Sequence, residues 1–110
     1  MAHEHHQELI QALHDCSLHC NICFDECLND TEHLDMLSNA IRLARDCADT
    51  CAFTEQAVAR NSQFHVRLAG YCAEVCDTCA DECEKHGHHD HCMRCAEACR
   101  RCAEACRTIA

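Results

Sequence analysis

Fifteen cysteines in a chain of 110 residues are the side chains best able to do chemistry. They stand at Cys16, Cys20, Cys23 and Cys27, then Cys47 and Cys51, then Cys72, Cys76, Cys79 and Cys83, and finally Cys92, Cys95, Cys99, Cys102 and Cys106. Within every group the spacing is three or four residues. Residues so spaced stack on one face of a helix, with Cβ atoms about 5–6 Å apart. A relaxed disulfide wants about 3.5–4.5 Å, so a metal ion between two sulfurs suits the spacing better than a bond between them. Thiolate is a soft donor that prefers Cu(I), zinc or iron–sulfur clusters.

The Cys-x-x-x-Cys pairs are 16/20, 23/27, 47/51, 72/76, 79/83, 95/99 and 102/106, all disjoint, which leaves only Cys92 unpaired. Closed-shell Cu(I) accepts two or three thiolates, so one such pair already makes a site. Structural zinc wants four ligands in a tetrahedron. Three other metal chemistries fail on the sequence. A di-iron bundle needs paired Glu-x-x-His motifs, and none occurs. Covalent haem needs Cys-x-x-Cys-His, but the Cys-x-x-Cys pairs here are followed by Phe24, Ala80, Ala96 and Ala103. The bacterial ferredoxin run ends in Cys-Pro, and the chain has no proline.

These cysteines need helices to carry them. With no proline and two glycines, long helices joined by short turns are the natural architecture. The cysteine stripe continues into Leu9 and Leu13, into Leu37, Ala40, Ala44, Thr54 and Val58, into His65 and Ala69, and into Ile109. That is a heptad seam on each of four helices, expected over roughly 4–29, 32–60, 62–86 and 88–108. Asn29-Asp30-Thr31 and Asn61-Ser62 supply cap chemistry, and Gly87 suits the position just past a helix end. Short connections make sequential helices antiparallel neighbours. The expected fold is all-α: an antiparallel up-down-up-down four-helix bundle with a cysteine-lined core, one domain over 1–110.

Threading the seams antiparallel puts Cys27, Cys83 and Cys92 at one level. Cys23, Cys79 and Cys95 follow, then Cys20, Cys76 and Cys99. Cys16, Cys47, Cys72 and Cys102 form a fuller level, and Cys51 with Cys106 the last. In most levels the second helix offers Leu37, Ala40 or Ala44, so four thiolates rarely meet. This register favours low-coordinate Cu(I) over a stack of tetrahedral zinc sites.

A formal charge of −10 argues against nucleic acid and against an anionic membrane surface. The N-terminal stretch has no basic and apolar leader pattern, and no run is long enough to cross a bilayer. A cytoplasmic location is expected, where many cysteines point to metal or redox work rather than structural disulfides. Charged residues between the seams, among them Glu74, Asp77, Glu82, Glu97, Arg100, Arg101 and Glu104, read as a solvated outer face.

Histidines gather at two places. His3, His5 and His6 read as a solvated terminus. His86, His88, His89 and His91 surround Gly87. His86 stands three residues after Cys83 and His88 four before Cys92, so both continue their seams, and they join the fifteen cysteines as expected metal ligands. His33 and Met36 fall at the same end. Metal is expected to enter there, to be caught by His86, His88 and Cys92, and to pass down the thiols. The opposite end carries Leu9, Val58 and Ile109, with His65 its lone ligand type, and should be closed.

With Cys-x-x-x-Cys pairs on all four helices, the whole chain resembles the bacterial four-helix-bundle copper storage proteins, in their cytosolic branch. The resemblance rests on the seven pairs named above. It implies a core filled with multiple Cu(I) ions, a homotetramer, and storage or sequestration in place of catalysis. The second helix departs from that pattern in carrying only Cys47 and Cys51.

Two other functions compete. One is a zinc or mixed soft-metal buffer of the same architecture. The other is a thiol redox protein using the Cys-x-x-Cys pairs, but these lie mid-helix and away from the helix N-terminus that activates a thiolate. No nucleophile–base pair is evident, and no enzyme is expected.

Overall fold

The computed structural model describes residues 6–110. Helix α1 spans Gln7–Asn29, a 3-10 turn Thr31–His33 leads into α2 at Leu34–Ala59, α3 spans His65–Glu84, and α4 spans Asp90–Arg107. Among the described residues no strand occurs. Each helix packs on its sequence neighbour, and α1 also packs on α4, which closes a rod of 49 × 18 × 17 Å. The short connections leave no alternative to antiparallel packing, as expected.

The seams face inward. All fifteen cysteines are fully buried, with Leu13, Leu37, Ala40, Ala44, Thr54, Val58 and Ala69. Beside the seams, Ala48, Ala73, Ala80, Ala96 and Ala103 each follow a cysteine and are also buried. Alanine at these flanks lets the helices approach closely enough for small thiol side chains to fill the middle. Leu9 and Leu13, with Val58 and Ala69, form an apolar layer at the end of the rod where α1 and α3 begin.

The turns differ in detail from the sequence expectation. Asn61 does not cap the start of α3. It adopts φ 57° and ends α2, with its N–H bonded to Val58 O and the Ser62 N–H bonded to Ala57 O. This is a Schellman closure with asparagine in the left-handed position that glycine usually takes. The helix therefore begins at His65 and not at 62. Gly87 has an ordinary negative φ, so it does not serve as a left-handed terminator. The end of α3 closes through Lys85 and His86 N–H groups on Glu82 and Cys83 carbonyls.

Outside the core, Arg100 on α4 bonds to Asp77, Asp81 and Glu84 on α3 at 3.1, 2.6 and 2.7 Å. Arg107 reaches Asp77 as well. The outer face is thus solvated as expected apart from Glu82, which is buried, and its main ion pairs cross between helices.

Candidate metal centre

The four seams bring the sulfurs within van der Waals range of one another. Same-helix pairs lie close: Cys16–Cys20 at 3.9 Å, Cys23–Cys27 at 3.8 Å, Cys47–Cys51 at 3.9 Å and Cys72–Cys76 at 3.9 Å. Several contacts between helices are shorter. Cys95 is 3.6 Å from Cys20, Cys99 is 3.7 Å from both Cys16 and Cys20, and Cys51 is 3.7 Å from both Cys72 and Cys76. Every thiol is free.

This spacing has a chemical meaning. With a metal–thiolate bond of about 2.3 Å, taking the zinc value, two sulfurs on one ion sit about 3.8–4.0 Å apart in tetrahedral or trigonal geometry and about 4.6 Å apart in a linear one. The observed sulfurs already stand at the separation of three or four donors around one ion.

Groups of thiols able to surround one ion include Cys16/Cys20/Cys47/Cys99, Cys16/Cys51/Cys76/Cys102, Cys20/Cys79/Cys95/Cys99, Cys23/Cys27/Cys92 and Cys23/Cys83/Cys95. The expected register is corrected in two respects. Cys83 meets Cys23 and Cys95, leaving Cys27 with Cys92. Cys99 and Cys76 both reach Cys16 and Cys47, where only Cys72 and Cys102 were expected; Cys102 still groups with Cys16, as expected. Sequence spacing cannot fix the axial offset between helices, and an offset of part of a turn regroups the sulfurs. Four thiols consequently meet more often than expected. The quartets nevertheless overlap, with Cys16, Cys20 and Cys99 each belonging to two. Shared thiols suit bridging between several ions better than separate, self-contained tetrahedra.

Neighbouring thiols also divide their protons unequally. Hydrogen bonds from Cys23 and Cys92 bring Cys27 down to about 3. Those from Cys20, Cys23 and Cys79 bring Cys95 down to about 2. Contacts with Cys16, Cys20, Cys47 and Cys79, with burial added, push Cys99 up. A thiolate is favoured where adjacent S–H groups point at it, and those donors hold their own protons harder. A metal ion binding to these thiols displaces their protons.

The histidine end is built where α1 and α3 finish and α2 and α4 begin. His86 is buried, and its Nε2 lies 3.0 Å from Glu82 Oε2. Asn39 Nδ2 donates to Glu82 Oε1 at 2.9 Å, and Lys85 lies 3.3 Å from the same oxygen. Burial raises the Glu82 carboxyl, but the His86, Asn39 and Lys85 contacts outweigh it and hold the group below the ordinary range. Glu82 was expected on the solvated face; its position four residues before His86 was the available signal. His86 Nδ1 is buried without a partner. His88 is exposed, and its ring lies 4.1 Å from that of His89. His89 and His91 are half-buried, each with an unpartnered Nε2, and stand 3.7 Å from Asp30 and 3.4 Å from Glu26 respectively. The His91 imidazole adds to the lowering of Cys27, the outermost thiol of α1. Met36 is exposed.

At the other end, the His6 and His65 rings meet edge-on with centroids 5.5 Å apart. His6 is therefore packed, where a solvated terminus was expected. His3 and His5 lie outside the described residues.

Residues 2–110 match the copper storage protein family. The chain is 44% identical over 96 residues to the uncharacterized cysteine-rich protein YhjQ of Bacillus subtilis (strain 168), covering 86% of each. Its fold matches the apo form of copper storage protein 3 from Bacillus subtilis with a TM-score of 0.86 at 43% identity, covering 94% of this chain and 97% of that one. A cytosolic copper storage protein from Streptomyces lividans carrying five coppers matches with a TM-score of 0.90 at 37% identity, covering 96% and 92%. With its family match running almost end to end and its thiols gathered in the bundle, the chain belongs to the copper storage protein family.

Proposed function

We propose that this chain stores and sequesters several Cu(I) ions as thiolate complexes inside the bundle, and that 1–110 acts as one metal-binding domain for this task. The observation that carries the reading is the overlap of buried thiol groups, with sulfurs 3.6–4.0 Å apart along the rod. Soft thiolates select Cu(I), and shared thiolates let ions accumulate side by side. The solved relatives support it, since one Bacillus structure is Cu(I)-bound and a Streptomyces structure carries ten copper equivalents. Storage also explains why the buried sulfurs face one another and no substrate cavity. A groove of about 500 Å³ between α2 and α3 is lined by Leu43, Tyr71 and Val75 with acidic neighbours, and by no thiol.

The metal-binding set is the fifteen cysteines, with His86 and His88 receiving copper at the mouth. His91 joins them at the same mouth, where it stands 3.4 Å from Glu26 and keeps a buried, unpartnered Nε2. A cytosolic location follows the Streptomyces relative, and no helix among the described residues is long and apolar enough to cross a membrane. A homotetramer is supported by the unpartnered apolar side chains Leu18, Ile22, Phe53, Phe64 and Tyr71, each more than two-fifths exposed.

A zinc or mixed soft-metal buffer draws support from the four-thiol groups, so one titration is set to separate the two. Reduced apoprotein is titrated anaerobically with Cu(I) and with Zn(II) against competing chelators. Copper storage predicts at least roughly seven Cu(I) per chain, one per same-helix pair, and more where thiolates bridge. Saturation at one or two equivalents with most thiols still reactive would overturn it. Tight uptake of about three Zn(II), displacing Cu(I), would favour the zinc reading.

A further inference from the structure

We propose that His6 and His65 form a second, thiol-free Cu(I) site at the end of the bundle opposite the histidine mouth, filled after the thiol core. The inference rests on the copper-storage reading and extends it to a region that carries no cysteine.

Two imidazoles are brought together there by separate helices. His6 immediately precedes α1 and His65 opens α3. Their rings meet at 5.5 Å with an interplanar angle of 60°. Each ring presents a nitrogen suited to a metal. His65 Nδ1 lies 2.7 Å from the Ser62 carbonyl oxygen. A carbonyl only accepts, so this contact places the proton on Nδ1 and leaves Nε2 with a bare lone pair. Metal-binding histidines are commonly oriented in this way, the second ring nitrogen donating to a backbone carbonyl. His6 Nδ1 is buried and bonded to nothing. A buried polar atom without a partner is uncommon enough to need a reason, and a cation shared with His65 supplies one. Both residues are only half-buried, so an ion can arrive from solvent. The positive ends of α1 and α3 lie at this point. The negative ends of α2 and α4 gather at the same place and offset the dipole that a bound cation would feel.

The pair is cut off from the thiols. Between His65 and Cys72 lies Ala69, and between His6 and Cys16 lie Leu9 and Leu13, all buried. The seven-residue step along α3 corresponds to about 10 Å. Copper at this pair cannot hop to a sulfur as it can between sulfurs under 4 Å apart. Two neutral nitrogens bind Cu(I) in two-coordinate geometry, but thiolate is the softer donor. The thiols should therefore fill first and the imidazole pair last.

The test is an anaerobic Cu(I) titration of the whole protein, following thiolate absorbance and the imidazole ring signals of each histidine by NMR. Cu(I) is diamagnetic, so all rings remain visible. We expect the His6 and His65 signals to stay fixed until the thiolate absorbance levels off, and then to move together over about one further equivalent. His65→Phe keeps an aromatic ring against His6 and removes the ligand. It should abolish the last equivalent, weaken the His6 response at least about tenfold, and leave the thiolate plateau unchanged. Fixed His6 and His65 signals in excess Cu(I), or the same final stoichiometry in His65→Phe, would overturn the site. Movement before the thiols fill would overturn the order of filling. Failure of the storage reading itself would appear separately, as missing thiolate absorbance.

Discussion

Cys95 on α4 lies 3.6 Å from Cys20 on α1, closer than the 3.9 Å that separates Cys20 from Cys16 on its own helix. A metal ion in this core therefore joins helices as readily as it joins turns of one helix. Cys20 belongs to two of the four-thiol groups. Cys20→Ala should lower Cu(I) capacity by about two ions, because sulfurs from both groups lose a bridging partner. Cys106, at the end of its seam, should cost about one. The check is Cu(I) titration of the two variants side by side. Equal losses would mean that each pair acts alone.

Copper binding should also be distinct from folding. Protonated thiols are tolerably apolar, and Leu13 and Leu37 are fully buried among them. Reduced apoprotein should give a helical circular dichroism spectrum. Leu13→Ala should destabilise it by about 2–5 kcal/mol in urea titration, with Cu(I) capacity unchanged. A random-coil spectrum for apoprotein would show that metal drives folding.

The turn at Asn61 offers a local test. A left-handed residue with a side chain is strained by roughly 1–2 kcal/mol, less for asparagine. Asn61→Gly should be neutral or stabilising, and Asn61→Val should destabilise by about 1–2 kcal/mol. Urea midpoints with unchanged m-values would check both.

How much of this was legible beforehand depends on what spacing encodes. The three-and-four steps fixed which face of each helix turns inward, and every cysteine named from them is buried. They could not fix the axial offset between helices, which is why Cys83 meets Cys95 and Cys23 in place of Cys27. Nor could they show that Glu82 would be drawn inward. A carboxylate beside a seam reads as solvated until a histidine four residues on and Asn39 across the bundle give it partners. His6 was illegible for a similar reason. Its partner His65 is 59 positions away in sequence, and only the closure of the bundle brings them together.

Acid should weaken the α3–α4 contact. Glu84 is held below its ordinary value by Arg100, and Asp77 by Arg107 and Arg100 against the effect of burial. A depressed folded value means that the unfolded chain takes up protons first as pH falls. The stabilisation is therefore complete above the ordinary carboxylate range and is lost as pH drops from about 4.5 through the folded values. Arg100→Gln should cost at most about 1 kcal/mol at neutral pH, since the guanidinium is well exposed. It should also flatten the decline in stability between about pH 5 and 3. Parallel pH profiles for wild type and variant would show that the pairs contribute nothing.

The mouth makes the most demanding prediction, because its histidines sit in different surroundings. His86 is fixed by Glu82 at 3.0 Å and keeps a buried, unpartnered Nδ1. His88 is exposed against His89. His91 stands 3.4 Å from Glu26, next to Cys27 in α1, with an unpartnered Nε2. Imidazole carries no fixed charge and binds copper less firmly than thiolate, so each ring can catch an ion and release it inward. His86→Ala with His88→Ala should slow Cu(I) uptake from a chelator, and removal by one, while the final capacity stays nearly unchanged. Adding His91→Ala should slow uptake further, since the last imidazole before Cys27 is then gone. Stopped-flow rates at matched chelator concentrations give the answer. Unchanged rates would place entry elsewhere on the bundle, and a capacity reduced by several ions would make these histidines part of the store instead of its mouth.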